Sequence, residues 1–347
     1  EKDGIMMPDQ KHDFALSVLD LVPIVEGSTA EQAFRNSLDL AQHAEKWGYK
    51  RFWLAEHHGM PGIASSATAV AIGYIAAGTK SIRVGSGGIM LPNHAPLMVA
   101  EQFGTLESLY PGRIDLGLGR APGSDFQTTK ALRRGLASNG NDFPELLHEL
   151  LSYLKPFDES KGSQVRAIPG EGLNIPIWLL GSSDFTAKLA ANLGFPFAFA
   201  SHFAPDYVHH AIDLYRKNFR PSEQCDAPYV MIGLNIIAAD TDEEAAWLAT
   251  SMEQQFLNVI RGQPGRLKPP TDQMDSLWTE YEKRIVRQQL SYSIVGGPET
   301  VRKQLRHFKE TTGADEFIVV ASIYDHQARL RSYEIAAEAA KDLCRGL

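Results

Sequence analysis

Residues able to do chemistry recur in this chain just after short runs of β-branched, aromatic or leucine-rich sequence. Glu56, His57 and His58 follow Arg51–Leu54, Asn93 and His94 follow Ile82–Ser86, and Arg120 follows Arg113–Leu118. Gly181, Ser182 and Ser183 follow Ile177–Leu180, His202 follows Phe197–Ala200, and Asp325 and His326 follow Phe317–Ala321. An arginine among glycines, with a serine-rich helix start one strand along, has the composition of an anion site. The guanidinium offers a fixed fork of donors, and the free N–H groups of the helix start add more. Phosphate is the natural occupant. Histidines supply groups that gain and lose protons near neutral pH. Gly87, Gly88 and Leu91 make a narrow apolar mouth of the kind a flat ring needs for close backbone approach. A phosphorylated ring cofactor beside a histidine fits this set.

Taken singly, each residue also has a plainer reading. His57 and His58 are neighbours and point in different directions, so at most one faces a shared pocket. Arg120 equally suits a salt bridge across a rim, Ser182 a helix cap and Glu56 a hydrogen bond to loop backbone. His209 and His210 fall within a helix and read as surface. The convergence of the others at strand ends is what favours a common site.

The elements that must hold these groups alternate along the chain. Phe14–Leu19 reads as a buried strand. Ser28-Thr29-Ala30-Glu31 matches a capping box opening a helix, with apolar Ala33, Phe34, Leu38, Ala41 and Ala44 and a stop at Gly48. Strands at Arg51–Leu54, Ile82–Ser86 and Arg113–Leu118 then alternate with helices at Thr68–Ala77 and Leu97–Tyr110. The pattern loosens up to Pro176, with a helix at Pro144–Leu154 and a loop from Lys161 to Asn174. Strands at Ile177–Leu180, Phe197–Ala200, Tyr229–Ala238 and Phe317–Ala321 follow. Their helices run over Phe185–Leu193, Pro205–Phe219, from Thr241, over Pro298–Phe308 and over Ala328–Leu343. Gly262–Thr271, rich in Gly and Pro, reads as a mobile excursion or lid. Eight strands and eight principal helices predict an α/β fold, a (β/α)8 TIM barrel with insertions after strands four and seven. One domain spans 14–347, behind a loose or tag-derived tail at 1–13. Parallel strands joined by helices bring their C-terminal ends together, where such barrels bind ligands.

Composition narrows the partners. The 347 residues include 34 Lys and Arg against 42 Asp and Glu, a net charge of −8, with no basic block. Nucleic acid and anionic membranes are therefore excluded as expected partners. The two cysteines, Cys225 and Cys344, lie far apart without CxxC spacing, which suits a reducing compartment and argues against a zinc cluster. There is no apolar run of membrane length and no leader-like h-region, so a cytoplasmic protein is expected. No metal site is expected. Gly117-x-Gly119-x-x-x-Gly123 misses the dinucleotide fingerprint and lacks a P-loop ending, and neither HExxH nor G-x-S-x-G occurs.

Four strings carry a family likeness: AEHH at Ala55–His58, VGSGGIMLPNHAP at Val84–Pro96, YPGRIDLGLGRAPG at Tyr110–Gly123 and FAFASHFAP at Phe197–Pro205. They resemble the bacterial luciferase-like monooxygenases, flavin-dependent (β/α)8 barrels, and most of all enterobacterial members that emit no light. The likeness runs from Phe14 to the last helix. It implies acid/base work at His57, a non-proline cis peptide pressing on the flavin at Gly87–Gly88, and phosphate contacts from Arg120 and Ser182, with Gly181 and Ser183 beside them. His58, Asn93, His202 and His326 are expected to line the substrate pocket. The implied reaction is that of FMNH2, supplied by a separate flavin reductase, with O2. A C4a-hydroperoxyflavin then oxygenates a small organic substrate, in a protein expected to be a homodimer. Luciferases carry a reactive cysteine just before the arginine and alanines at the cis peptide. Here those positions are Gly119 and Gly87-Gly88, which argues against light emission and a long aldehyde substrate. Two other readings are a deazaflavin-dependent hydride-transfer enzyme on the same barrel and a non-catalytic flavin-binding protein.

Overall fold

The computed structural model describes residues 14–121, 125–133, 140–161 and 164–345. The tail expected over 1–13, and Gly123 of the glycine string, lie outside them. In chain order the strands are β1 (Ala15–Asp20), β2 (Arg51–Leu54), β3 (Arg83–Ser86), β4 (Ile89–Met90), β5 (Ile114–Gly119), β6 (Ile177–Gly181), β7 (Phe197–Phe199), β8 (Val230–Ala238), β9 (Ser293–Gly296) and β10 (Glu316–Val320). The helices are α1 (Ala30–Trp47), α2 (Thr68–Ala77), α3 (Pro96–Leu109), α4 (Phe126–Arg133), α5 (Phe143–Leu154), α6 (Asp184–Leu193), α7 (Val208–Asn218), α8 (Asp242–Ile260), α9 (Met274–Leu277), α10 (Glu280–Gln289), α11 (Pro298–Thr312) and α12 (His326–Arg345).

Eight of these strands form a closed parallel barrel in the order β1, β2, β3, β5, β6, β7, β8, β10, with β10 returning to β1. These eight are the ones the sequence pattern predicts. The two extra strands are extensions: β4 resumes the path of β3 and pairs with Leu118 and Gly119, and β9 pairs with the upper half of β8. The insertion after the fourth barrel strand holds α4 and α5. The one after the seventh holds α8, α9, α10, β9 and α11.

Strands buried on both faces need apolar residues at nearly every position. β8, VMIGLNIIA, is buried throughout its length. Outward residues such as Val18, Phe52, Leu54 and Val84 pack under the helices. Inward residues, among them Leu19, Trp53, Trp178, Met231 and Ile318, fill the barrel itself. Below them, at the N-terminal end of the strands, lies a buried ionic layer. Arg51 Nη1 donates to Asp115 at 2.9 Å and Arg51 Nε to Glu316 at 3.0 Å, with the guanidinium stacked 4.8 Å from the Trp178 ring.

Helix ends follow local rules, with one correction. Thr29, not Ser28, caps α1: its hydroxyl accepts from Gln32 N–H at 3.2 Å, and Gly48 closes the helix at φ 89°. The Gln32 side chain turns to Asn36, so no reciprocal box forms. The reciprocal box lies instead on α10, between Thr279 and Glu282.

Candidate active site

The loop leaving β2 carries Glu56, His57 and His58, and Glu56 is its hub. The Glu56 side chain is fully buried and receives the His58 Nε2 at 2.7 Å, the His94 Nε2 at 2.9 Å and the Asn93 Nδ2 at 3.3 Å on one oxygen. Its other oxygen receives the Met90 N–H at 2.7 Å and the His94 Nε2 at 3.0 Å. Burial raises the Glu56 carboxyl, but the hydrogen bond and charge of His94, with His58 and the Met90 N–H, more than offset it and hold the group below the usual carboxylate value. Asn93 in turn accepts from Arg133 Nε of α4 at 3.1 Å. Of the expected pocket residues, His58 and Asn93 are therefore tied into this network. The sequence reading gave Glu56 loop backbone as its partner, and the Met90 N–H is such a partner; of the side chains it also gathers, His58 is local, while Asn93 and His94 come from a turn more than thirty residues away and leave no local signature.

His57 is half-buried, and its N–H is fixed to the Ser65 carbonyl at 3.1 Å. Across the mouth, His202 is pushed down to about 4 by burial and by the nearby charge of His57, so its ring is neutral at pH 7. The structure thus brings together two histidines 145 positions apart in sequence. The His202 Nδ1 is buried and has no hydrogen-bond partner. Its ring occupies the space that a side chain at Gly233 would need: a Cβ there would lie 2.2 Å from Nδ1. Gly233, inside a strand, is a site residue that the sequence reading passed over. A glycine interrupting an apolar strand was the available signal.

The wall between these histidines and the anion-type residues is bare backbone. The Gly87–Gly88 peptide is cis. A Cβ at Gly87 would lie 2.7 Å from Leu19 Cδ1, and one at Gly88 would lie 2.8 Å from the Gly117 carbonyl. Gly88 faces backbone and has no room for a side chain, and at Gly87 the Leu19 side chain would have to give way.

Arg120, half-buried, places its guanidinium 4.6 Å from the ring of Phe185 in the first turn of α6. Ser183 is the N-cap of that helix but its side chain makes no capping bond. Ser182 and Ser183 thus lead directly into the free N–H groups of the helix start. Gly181 is needed for the close turn, since a Cβ there would come 2.6 Å from Thr186 Oγ1. The acid in this turn, Asp184, faces His210 at 3.1 Å.

One expectation is corrected and one qualified. His326 opens α12 and sets its Nε2 2.7 Å from Asp39 of α1, while its Nδ1 is buried without a hydrogen-bond partner. The excursion at 262–271 is fastened, not loose. Leu267 is buried and bridges Val25, the Glu26 N–H donates to its carbonyl at 2.8 Å, Arg266 reaches the Ser28 carbonyl at 2.9 Å, and Thr271 N–H donates to Thr250 at 2.9 Å. Leucine amid Gly and Pro marked this anchor, and the turn-rich composition hid it. Among the described residues no cluster of His, Cys, Asp or Glu suits a metal ion.

Comparison with known proteins identifies the family and the fold. The family model described as luciferase-like monooxygenase matches residues 15–316. A luciferase-like monooxygenase of Escherichia coli strain K12 is 54% identical over 329 residues, covering 95% of this chain and 98% of that protein. The N-acetyl-S-alkylcysteine monooxygenase of Bacillus subtilis strain 168 is 33% identical over 331 residues, covering 93% and 97%. The crystal structure of apo-MsnO8 superposes with a TM-score of 0.83 at 35% identity, covering 94% of this chain and 98% of that one.

Proposed function

The chain belongs to the luciferase-like monooxygenase family, and from that premise we propose that it is a flavin-dependent monooxygenase that uses reduced FMN and O2 to oxygenate a small organic substrate. One arrangement supports the reading above all. Arg120 at the start of α6, the bare Gly87–Gly88 wall and the His57–His202 pair lie at the same, C-terminal end of the barrel. A phosphate at one side of this end and a flat ring against the wall match the residues present, and the unpartnered His202 Nδ1 offers a buried acceptor. A relative named for N-acetyl-S-alkylcysteine supports a small organic substrate.

Reduced FMN, when bound, supplies the electrons and the carbon at which O2 is activated. The chain's own residues do the rest. Arg120, Ser182 and Ser183, with Gly181 allowing the approach, bind the phosphate. Gly87 and Gly88 let the ring lie flat against backbone. His57 gives or takes the proton, while the neutral His202 ring adds no positive charge beside it. Trp53 and Leu19 below and the fastened 262–271 segment above exclude water.

A separate reductase supplies the reduced flavin, consistent with the missing dinucleotide fingerprint. A homodimer belongs to the same proposal. α2, TAVAIGYIAA, bears no charge, yet Val70 is 74% exposed there, and Met98 and Leu109 of α3 are exposed. A helix apolar all round needs cover. No helix among the described residues is long and apolar enough to cross a membrane, and a cytoplasmic setting is part of the proposal.

The test is anaerobic titration with FMN and FMNH2, then admission of O2. Tight FMNH2 binding, with peroxide released more slowly than from free FMNH2, is the expected result. Binding of a deazaflavin alone, or flavin binding without any effect on its oxidation, would favour the hydride-transfer or storage reading.

A further inference from the structure

Glu56 joins four pieces of the site that the barrel alone would leave independent. It sits on the β2 loop with His57 and His58, and it holds His58 by the ring. Through the Met90 N–H it grips the segment just beyond Gly87–Gly88. Through His94 and Asn93 it holds the 3-10 turn Leu91–Asn93 and its exit, and Asn93 passes the connection to Arg133 on α4. Among the described residues no lysine or arginine pairs with Glu56; its ionic partners are the two imidazoles. An ionised carboxylate only accepts, so both rings must present Nε2–H to it, which leaves each neutral ring with Nδ1 as an acceptor.

We propose that Glu56 is the positioning residue of this site: it locks His58 and His94 in the Nε2–H tautomer and fixes the distance between the His57 loop and the Gly87–Gly88 wall. His94 thereby joins the site as a second ring held in place by Glu56.

The tautomers can be read by 15N NMR of histidine-labelled protein without any flavin. Both rings should show protonated Nε2 and unprotonated Nδ1 near pH 8. An unprotonated Nε2 on either ring would overturn the assignment. Glu56→Gln offers one accepting oxygen and an NH2 that must donate, against the Met90 N–H, the Asn93 amide and two imidazoles. At least one ring should therefore switch to Nδ1–H, and two unchanged tautomers would refute the lock. The second arm rests on the flavin reading above. FMNH2 affinity of Glu56→Gln should stay within about twofold, since Arg120 and α6 are untouched, while the delay in peroxide release shortens about tenfold or more, because loosened geometry at a reacting centre is costly. An unchanged delay with intact FMNH2 binding would refute the positioning role. If wild-type protein binds no FMNH2, the flavin reading fails and the tautomer arm still decides this one. Should Glu56→Gln not fold, His94→Gln serves: its amide still donates to the carboxylate, His58 should keep Nε2–H, and a switched His58 would overturn the assignment.

Discussion

At the lower end of the barrel two carboxylates are buried against guanidinium and hydroxyl groups. Asp115 accepts from Arg51 at 2.9 Å, from Arg83 at 2.7 and 3.0 Å and from Trp53 Nε1 at 3.1 Å. Glu316 accepts from Arg51 at 3.0 Å, from Tyr229 at 2.7 Å and from Ser17. At the upper end Glu56 is buried against imidazoles, Asp20 at the end of β1 is buried against Arg329 at 2.6 Å, and the ring of His202 keeps one buried nitrogen with no partner. Both ends bury charge, but the Glu56 cluster at the upper one has no guanidinium among its ionic partners. Guanidinium stays protonated at any working pH, whereas imidazole exchanges its proton in the neutral range. Burial lowers the Asp115 carboxylate's tendency to ionise, and the charges of Arg51 and Arg83 reverse that, leaving it below the usual value. Burial of a carboxylate is thus matched by fixed guanidinium charge in the Arg51 layer and by imidazole rings around Glu56, in line with the general division of such barrels into a stability face and a chemical face.

Removing the lower lock should produce the largest effect. Arg51→Met leaves two buried carboxylates without their shared cation, a loss of about 3–5 kcal/mol. Urea unfolding would measure it, and Glu56→Gln should shift the same curve clearly less. Equal shifts would erase the distinction between the ends. Next comes Gly233→Ala. Its Cβ must displace the His202 ring, so overpacking of about 1–3 kcal/mol is expected together with loss of the buried ring position. A lowered melting temperature and a changed His202 NMR environment would register it.

Arg120→Ala probes the upper end alone. Losing a charged hydrogen-bond donor to phosphate is worth about 1.5–3 kcal/mol, or roughly 10–100-fold in FMN affinity. Riboflavin, which has no phosphate, should bind the variant as it binds wild type, and the urea midpoint should not move. Equal weakening of both flavins would place Arg120 at the ring rather than at the phosphate.

How much of this was legible in the sequence follows the range of the interactions. The eight barrel strands were readable because burial on both faces demands local apolar runs, as in Ile114–Leu118 and Tyr229–Ala238. α4 and α10 were not. Their exposed, polar faces give no core stripe, although the Thr279–Glu282 pair was a local clue to α10. In the site, strand-end position brought out Arg120, Ser182, His57 and His202 among others, and the family likeness gave His57, Arg120 and Ser182 their expected roles. Position could not say which way His326 turns, because its partner Asp39 lies almost three hundred residues away. Nor could it show that Glu56 gathers Asn93 and His94, since hydrogen bonds between loops of different strands leave no spacing rule. The cis bond at Gly87–Gly88 came from family likeness rather than from glycine itself.

The smallest expected effect separates the two ends by pH. His202 has an ordinary value of 6.5 and falls to about 4 in the fold, so the unfolded chain binds the extra proton between those values. Its contribution to stability is complete above pH 6.5 and is lost as pH falls from there to 4. Asp115 is held below its ordinary 3.8, so its contribution persists throughout that window and is lost only on further acidification. Melting temperature followed from pH 8 to 3 should therefore decline gently below 6.5 and more steeply below about 4, the ordinary Asp range. His202→Gln should flatten the first part and leave the second. The first decline is small because His202 is half-buried rather than sealed, and water screens part of its charge. A wild-type curve level from 8 to 4 would mean that His202 finds a partner for its proton and that the upper end is as closed as the lower. A decline that survives His202→Gln unchanged would mean that His202 is not the group titrating in this window.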